Sequence, residues 1–275
     1  MKRLIILSAA VVFGFCASAQ SFSWHTVPMD GSRTGVVAAS ADNVDETMGT
    51  LVSKTYTAPN GRVFKAGSAT SKVASTMIAA QPSMAYVKEV IGYAPKDMKR
   101  HRPESELTNF LVDRMMKVTQ DSVGRKVDVG ILNFGGIRTD IHSGPVLLDD
   151  FLSMLPFNNY VYYVEMPGSE LRRVLESFAK YGPQVLGGVR IVVKDKKLVS
   201  ATVGGEPLDE SRTYGLATID FLLDGGDHLK LARNAKGLIQ TQMLLRDAII
   251  PYVRSLHDAS LPLEYVTDGR VTYEK

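Results

Sequence analysis

The chain has 275 residues, of which 45% are hydrophobic and 22% are charged, the composition of an ordinary globular protein. Its formal net charge is +3, and this small, evenly spread excess argues against a nucleic-acid polymer as the partner. Cys16 is the only cysteine, and it lies in the N-terminal segment that we expect to be removed as a signal peptide. The mature chain would then have neither a disulfide framework nor a thiolate site.

Residues 1–19 have the pattern of a signal peptide. Lys2 and Arg3 precede an apolar run, 4–15, and Ala17-Ser18-Ala19 supplies the small-x-small cleavage pattern. We therefore expect cleavage after Ala19 and an exported protein, periplasmic or extracellular, with no membrane span in its mature part. Lipid attachment at Cys16 is the less favoured alternative, because a bulky phenylalanine precedes this cysteine.

Residues 20–83 are rich in Ser, Thr and Ala and predict an N-terminal appendage or linker of unknown role. A hairpin is expected within 54–66, where two short runs of strand-forming residues flank Pro59-Asn60-Gly61. A short helix is expected over 68–80.

Residues 84–275 show a clearer pattern of helices and strands and are treated as one domain. Helices are predicted over 104–119, 147–154, 169–181 and 238–256. Strands are predicted over 86–93, 127–132, 160–165, 189–193, 198–203, 214–219 and 269–273. Ser169 is the expected N-cap of its helix, and Pro251 is expected to bend the last one. Because the elements do not alternate strictly, a mixed sheet or two stacked sheets fit better than a doubly wound parallel sheet.

The segment Ile131–Asp140 follows the buried strand predicted at 127–132. It contains Asn133, two glycines and Arg138. Gly135 and Gly136 allow close approach of the backbone to a ligand or positive φ, and the planar guanidinium of Arg138 suits phosphate or carboxylate. Open α/β folds bind ligands at such strand ends. A tight turn with a surface arginine is the alternative interpretation.

Some chemistry is missing from the sequence. The five histidines are scattered, with none of the spacings that bring ligands to a two-metal hydrolase centre. There is also no Walker A loop, no GxGxxG and no GxSxG motif. The sequence therefore predicts no metal site and no autonomous catalytic centre.

Other side chains form a set that can recognise a nucleoside phosphate. Arg102 precedes a predicted helix start, where free N–H groups favour an anion; a solvated residue of a basic loop is the alternative. Phe157 and Phe221 are loop aromatics that could stack on a base at about 1–3 kcal/mol each; for Phe157, a lid over a packing gap is the alternative. Asp227 could accept hydrogen bonds from ribose hydroxyls, and Arg102 and Arg138 could neutralise phosphate.

These residues occur in motifs that resemble the C-terminal, substrate-binding domain of secreted 5′-nucleotidases and UDP-sugar hydrolases. The motifs are Asn-x-Gly-Gly-Ile-Arg at 133–138, Leu-Pro-Phe-x-Asn at 155–159, Gly-Gly-Val-Arg at 187–190 and Phe-Leu-x-x-Gly-Gly-Asp at 221–227. Their order and spacing agree with the family over about 84–275. The resemblance implies an α/β/β/α arrangement of mixed sheets.

The resemblance also implies roles for individual residues. Phe157 and Phe221 would clamp the base, Asp227 would hold the ribose and Asn133 would meet the base side. Arg138, and with a less certain alignment Arg102, would hold phosphate. Phe134 departs from the family, because a small residue is usual at this position.

Family members carry a metallophosphoesterase domain before this part, and no motif of that domain occurs in 20–83. The leading hypothesis is therefore the exported nucleotide-recognition half of a split enzyme. It needs no cofactor of its own, and a separately encoded metallophosphatase would supply the divalent metals. The alternatives are a stand-alone nucleoside- or nucleotide-binding protein and, less favoured, a self-sufficient phosphatase with an unrecognised site.

Overall fold

A computed structural model describes residues 43–274 of the protein. The predicted signal peptide lies outside this range. The helices are α1 (Val44–Met48), α2 (Ala69–Met84), α3 (Glu106–Val123), α4 (Leu148–Met154), α5 (Gly168–Tyr181) and α6 (Leu245–Asp258). The strands are β1 (Thr50–Val52), β2 (Thr55–Thr57), β3 (Val63–Phe64), β4 (Val90–Ala94), β5 (Val129–Leu132), β6 (Gly144–Leu147), β7 (Tyr160–Pro167), β8 (Val185–Gly187), β9 (Val189–Lys194), β10 (Lys197–Val203), β11 (Glu206–Pro207), β12 (Thr213–Ile219), β13 (Gly237–Leu244) and β14 (Val271–Tyr273).

A five-stranded sheet forms the centre of the larger part, with strand order β13-β7-β12-β5-β8. β12 and β5 are parallel, whereas the other neighbours are antiparallel. A four-stranded sheet of order β11-β10-β9-β14 is also mixed, because β14 runs parallel to β9. The prediction of mixed sheets within an α/β fold is confirmed.

Helix α3 packs on the five-stranded sheet, and α5 packs mainly on the four-stranded sheet. The buried face of α3 includes Leu107, Phe110, Leu111 and Met115, all of which are fully buried. α3 lies so close to β5 that a Cβ at Gly130 would stand 2.6 Å from Cγ2 of Val112. The amphipathic pattern in the sequence therefore did identify the helix that covers the central sheet.

Two predicted elements differ in the structure. The segment predicted as the first half of a helix over 238–256 is strand β13, an edge strand that pairs with β7; Pro251 lies inside α6. The predicted strand over 86–93 is a 3₁₀ turn, Ala85–Lys88, followed by β4. Short apolar runs fit both a helix and a strand, and the available partner strand decides between them.

Ser169 does not cap α5. The helix begins at Gly168, with Pro167 at the N-cap position and no side-chain cap. The backbone N–H groups of Gly168 and Ser169 instead donate to the carbonyl oxygens of Arg212 and Glu210, at 2.7 and 3.2 Å. A tertiary contact with the turn before β12 thus satisfies the free donors at the helix start.

The N-terminal part of the described chain is a small three-stranded sheet with α1 and α2. β2 and β3 form the predicted hairpin, and β1 pairs with β2 on the other side. α2 begins at Ala69, directly after the N-cap Ser68, and extends to Met84, which is four residues beyond the predicted end at residue 80. The division of the chain at 83/84 stays a prediction; the first buried apolar residue in the described range is Val87.

Candidate functional site

Three loops with predicted site residues meet at one edge of the five-stranded sheet. β5 and β12 are parallel, so their carboxyl ends lie at the same edge, and the antiparallel β7 begins there. Asn133 follows β5, Phe157 precedes β7 and Phe221 follows β12. The strand order, which brings these three segments together, explains why motifs distant in sequence form one site.

The loops enclose a cleft of about 290 Å³, which we call the aromatic cleft. It is lined by Asn133, Gly135, Arg138, Phe157, Asn159, Phe221 and Asp227. The rings of Phe157 and Phe221 are 48% and 46% exposed, although large apolar side chains are usually covered in a folded domain. Six of the eight predicted site residues therefore line one concave surface that has two uncovered aromatic rings.

Asn133 is the most buried polar residue of the aromatic cleft, with 9% of its surface exposed. Among residues 43–274 its side-chain amide has no hydrogen-bond partner. Gly136 explains how the amide fits, because a Cβ at this position would lie 2.5 Å from Oδ1 of Asn133. Neither Gly135 nor Gly136 takes the positive φ that we considered. The glycine at 136 makes room for the Asn133 side chain, and the amide keeps a free donor and acceptor.

Arg138 lies beside one of the two rings. Its guanidinium carbon is 6.0 Å from the centroid of the Phe157 ring, and Nη1 donates to the carbonyl oxygen of Gly135 at 3.1 Å. The side chain is exposed, so most of its donors remain available. A cation therefore lies at the edge of the cleft, where it can meet an anionic group attached to a ligand between the rings.

Arg102 lies in a second cleft of about 790 Å³, which we call the arginine cleft. It is lined by Arg102, Phe134, Gly135, Ser177, Phe178, Tyr181, Gly182, Gln184, Asp227, His228 and Leu229. Gly135 and Asp227 line both clefts, so the two are adjacent. The two predicted phosphate-binding arginines are thus divided between neighbouring clefts.

Phe134 provides the surface on which Arg102 lies. The guanidinium carbon of Arg102 is 4.6 Å from the Phe134 ring centroid, and that of Arg100 is 5.9 Å from it. Arg102 also donates to the carbonyl oxygen of Pro183, while the N–H of Phe134 donates to Oε1 of Gln184 at 2.8 Å. The large side chain of Phe134 therefore packs against the cation of Arg102.

At the start of α3, next to which we expected an anion to bind at Arg102, a capping box occupies two backbone N–H groups. α3 begins at Glu106, and its N-cap Ser105 is fully buried. The hydroxyl of Ser105 accepts from the N–H of Thr108 at 3.2 Å, and the N–H of Ser105 donates to Oγ1 of Thr108 at 2.9 Å. This capping box uses donors that a ligand would need.

Within residues 43–274, no group of three or more His, Cys, Asp or Glu side chains could hold a metal ion. The polar side chains that line the two clefts are amides, guanidinium groups, two hydroxyls, one imidazole and the carboxylate of Asp227, and this set does not fit a two-metal centre. His228 lines the arginine cleft, whereas His142 is exposed beside Asp97.

No helix in the described range is long and apolar enough to cross a membrane.

Two residues of the aromatic cleft region were not among the predicted site residues. Asn159 lines the cleft, and Arg246 of α6 supports the loop before β7: its Nη2 donates to Oδ1 of Asn158 at 2.7 Å, and its Nη1 donates to the carbonyl oxygen of Phe157 at 3.3 Å. Asn159 stands inside a motif that we quoted, so its position in a Pro- and Asn-containing turn was a usable signal. Arg246 gave no such signal, because it lies in a segment predicted as mid-helix.

Known proteins are similar to this chain over the part that contains both clefts. The family model for the 5′-nucleotidase C-terminal domain matches residues 87–233. Protein UshA of Escherichia coli (strain K12) is 30% identical over 155 residues, which are 54% of this chain and 28% of that protein. A 5′-nucleotidase-related protein of Glossina morsitans morsitans is 27% identical over 215 residues, 67% of this chain and 38% of the relative. This chain therefore spans well under half the length of these relatives.

Solved structures show the same fold. The 5′-nucleotidase precursor from Thermus thermophilus superposes with a TM-score of 0.64 at 25% identity, covering 74% of this chain and 43% of that one. The NAD nucleotidase of Haemophilus influenzae superposes with a TM-score of 0.56 at 20% identity, covering 80% of this chain and 48% of that one. Since the family model spans more than half of the chain and the fold agrees, this protein belongs to the family of 5′-nucleotidase C-terminal domains.

Proposed function

We propose that this protein is the exported nucleotide-recognition half of a split 5′-nucleotidase or related nucleotide phosphohydrolase. It binds the base, ribose and phosphate of a nucleotide, and a separate metallophosphatase supplies the metal centre that cleaves the phosphate ester. Export rests on the sequence pattern of residues 1–19.

The observation that carries this proposal is the shared position of Phe157 and Phe221 in the aromatic cleft. Two half-exposed rings on adjacent loops can stack on the two faces of a base, and each stacked contact contributes about 1–3 kcal/mol. The unpaired amide of Asn133 can both donate to and accept from the edge of that base.

Charged side chains of the two clefts can bind the ribose and the phosphate of the nucleotide. Asp227 borders both clefts and can accept hydrogen bonds from the ribose hydroxyls. Arg138 can neutralise a phosphate at the aromatic cleft, and Arg102 offers a second cation in the larger arginine cleft. A nucleoside monophosphate, a nucleoside diphosphate and a nucleotide sugar all combine these groups, and the arginine cleft alone, at about 790 Å³, has a volume usual for small-molecule sites.

Hydrolysis requires chemistry that the described side chains do not supply. In our proposal a partner protein provides the metallophosphoesterase part. This chain would then fix the nucleotide so that its phosphate faces the partner, and such positioning can lower a reaction barrier considerably.

The base clamp is tested by calorimetry with the double variant Phe157→Ala/Phe221→Ala. We expect its affinity for AMP, GMP, CMP and UMP to fall by at least about tenfold, because the stacking free energy is lost. The matched control is Tyr86→Ala/Tyr273→Ala, which removes two exposed aromatic rings that line neither cleft. Equal affinities in wild type and the Phe157/Phe221 variant would refute the clamp.

The split-enzyme proposal is tested by co-purification from the native host. A metallophosphatase that elutes with this chain, and a rise in AMP hydrolysis when the two are mixed, are the expected results. Nucleotide binding without any such partner would instead favour the stand-alone binding protein.

A further inference from the structure

We propose that Asp220 is a positioning residue that fixes the two aromatic loops relative to each other; this inference rests on the proposed nucleotide-binding function. Asp220 lies directly after β12, at the point where the loops meet. It does not line either cleft, so its effect on a ligand must pass through its neighbours.

The carboxylate of Asp220 accepts three hydrogen bonds from two loops. Oδ1 accepts from Nδ2 of Asn159 at 2.7 Å and from the N–H of Phe221 at 2.7 Å. Oδ2 accepts from the N–H of Tyr160 at 3.1 Å. Hydrogen bonds to an ionised acceptor are stronger than neutral ones, so this carboxylate can join the loop before β7 to the loop after β12.

Both aromatic rings are close to these hydrogen bonds along the chain. Phe221 is the residue next to Asp220, and Phe157 is two residues before Asn159. Neither ring is held by full burial, so the loop backbone has to set their separation and direction. Arg246 supports the Phe157 loop from α6, whereas Asp220 contacts both loops.

The separation of two rings matters more for a base than for a sugar or a phosphate. Stacking requires two faces at a fixed distance, whereas an anion meets an exposed arginine without them. A positioning role therefore predicts selective loss: ligands with a base bind more weakly, and ligands without a base are affected little. A merely structural role predicts equal losses for both ligands.

The experiment compares Asp220→Ala and Asp220→Asn with wild type in calorimetric titrations. The ligands are ribose 5-phosphate and whichever of AMP, GMP, CMP and UMP the wild type binds most tightly. Asp224→Ala is the control, because Asp224 lies on the same loop, is 87% exposed, and its carboxylate oxygen is 3.6 Å from Nζ of Lys230. The melting temperature of every variant shows whether it is folded.

We expect Asp220→Ala to weaken nucleotide binding by at least about tenfold, with little change for ribose 5-phosphate. Asp220→Asn should give a smaller loss in the same direction, since an amide keeps one acceptor but presents a donor to N–H groups. Asp224→Ala should bind both ligands as wild type does.

Unchanged nucleotide affinity in folded Asp220→Ala would overturn the inference and leave the base clamp intact. Equal losses for both ligands would also overturn it, and if the alanine variant does not fold, the same criteria apply to Asp220→Asn. A wild type that binds none of the nucleotides would overturn the proposed function itself, so the two failures are distinguishable.

Discussion

The described chain contains two regions that bury their apolar residues very differently. From Val87 onward, most large apolar side chains join one core around the two larger sheets. In residues 43–84 no apolar side chain is buried; Val73 and Met77 on α2 are 59% and 52% exposed. Both regions have regular helices and strands, so the difference between them is the burial of apolar side chains and not the presence of hydrogen-bonded structure.

The N-terminal region is held together by local contacts. The rings of Tyr56 and Phe64 stack with centroids 5.8 Å apart, and the hydroxyl of Tyr56 donates to the carbonyl oxygen of Met48 at 2.7 Å. Between α1, β2 and α2 an open groove remains, lined largely by apolar residues. A region of this kind can unfold without the domain that follows, because little core is shared between them.

The largest effect that we expect concerns a buried ion pair of the domain. Arg270 is 6% exposed; its Nη1 donates to Oδ1 and its Nη2 to Oδ2 of Asp113, at 2.8 and 2.5 Å. Burial opposes the charge of Arg270, but its bonds to Asp113 and Asp268 outweigh this, so its pKa is raised. Arg270→Ala should lower the free energy of unfolding by about 3–5 kcal/mol, because the carboxylate of Asp113 loses its cation and keeps the hydroxyl of Tyr265 as a donor.

Urea denaturation measures this change. Arg190→Ala is the matched control, because Arg190 contacts the same Asp268 from an exposed position and its loss should cost less than about 1 kcal/mol. If the two arginine variants lose similar amounts of unfolding free energy, burial does not determine how strongly the ion pairs of Arg270 stabilise the fold.

A pair of truncations in the two regions tests the difference in burial directly. Leu111→Ala removes a fully buried side chain of α3 and should lower the free energy of unfolding by about 2–5 kcal/mol. Met77→Ala shortens a half-exposed side chain of α2 and should change it by less than about 0.5 kcal/mol. A large loss for Met77→Ala would show that the α2 surface is covered in solution and would remove the contrast.

The smallest expected effect concerns the helix caps. Ser105 caps α3 and Ser68 caps α2, each through a side chain that accepts from a backbone N–H at 3.2 Å. Ser105→Ala should lower the free energy of the main unfolding transition by about 0.5–2 kcal/mol. Ser68→Ala should leave the main unfolding transition unchanged if α2 unfolds separately. Differential scanning calorimetry of both variants measures this transition. Equal shifts would mean that the two regions unfold as one unit.

Local features of the fold were predictable because short-range patterns determine them. The apolar stripe of α3 and the turn residues of the β2–β3 hairpin predicted both elements, and the mixed sheet class followed from the order of elements. Six of the seven residues that line the aromatic cleft were also predicted, since loops that follow or precede buried strands carry ligands in α/β folds. Their roles in binding stay predictions.

The sequence by itself determined most of the helices, turns and buried strands, because side-chain periodicity and turn chemistry act over a few residues. Only the tertiary structure decided that 237–244 pairs as β13, that Arg102 lies on Phe134 in a second cleft, and that Asp220 joins two loops. Each of these depends on residues far apart in sequence. Sheet order and packing bring such residues together, and no local pattern contains that information.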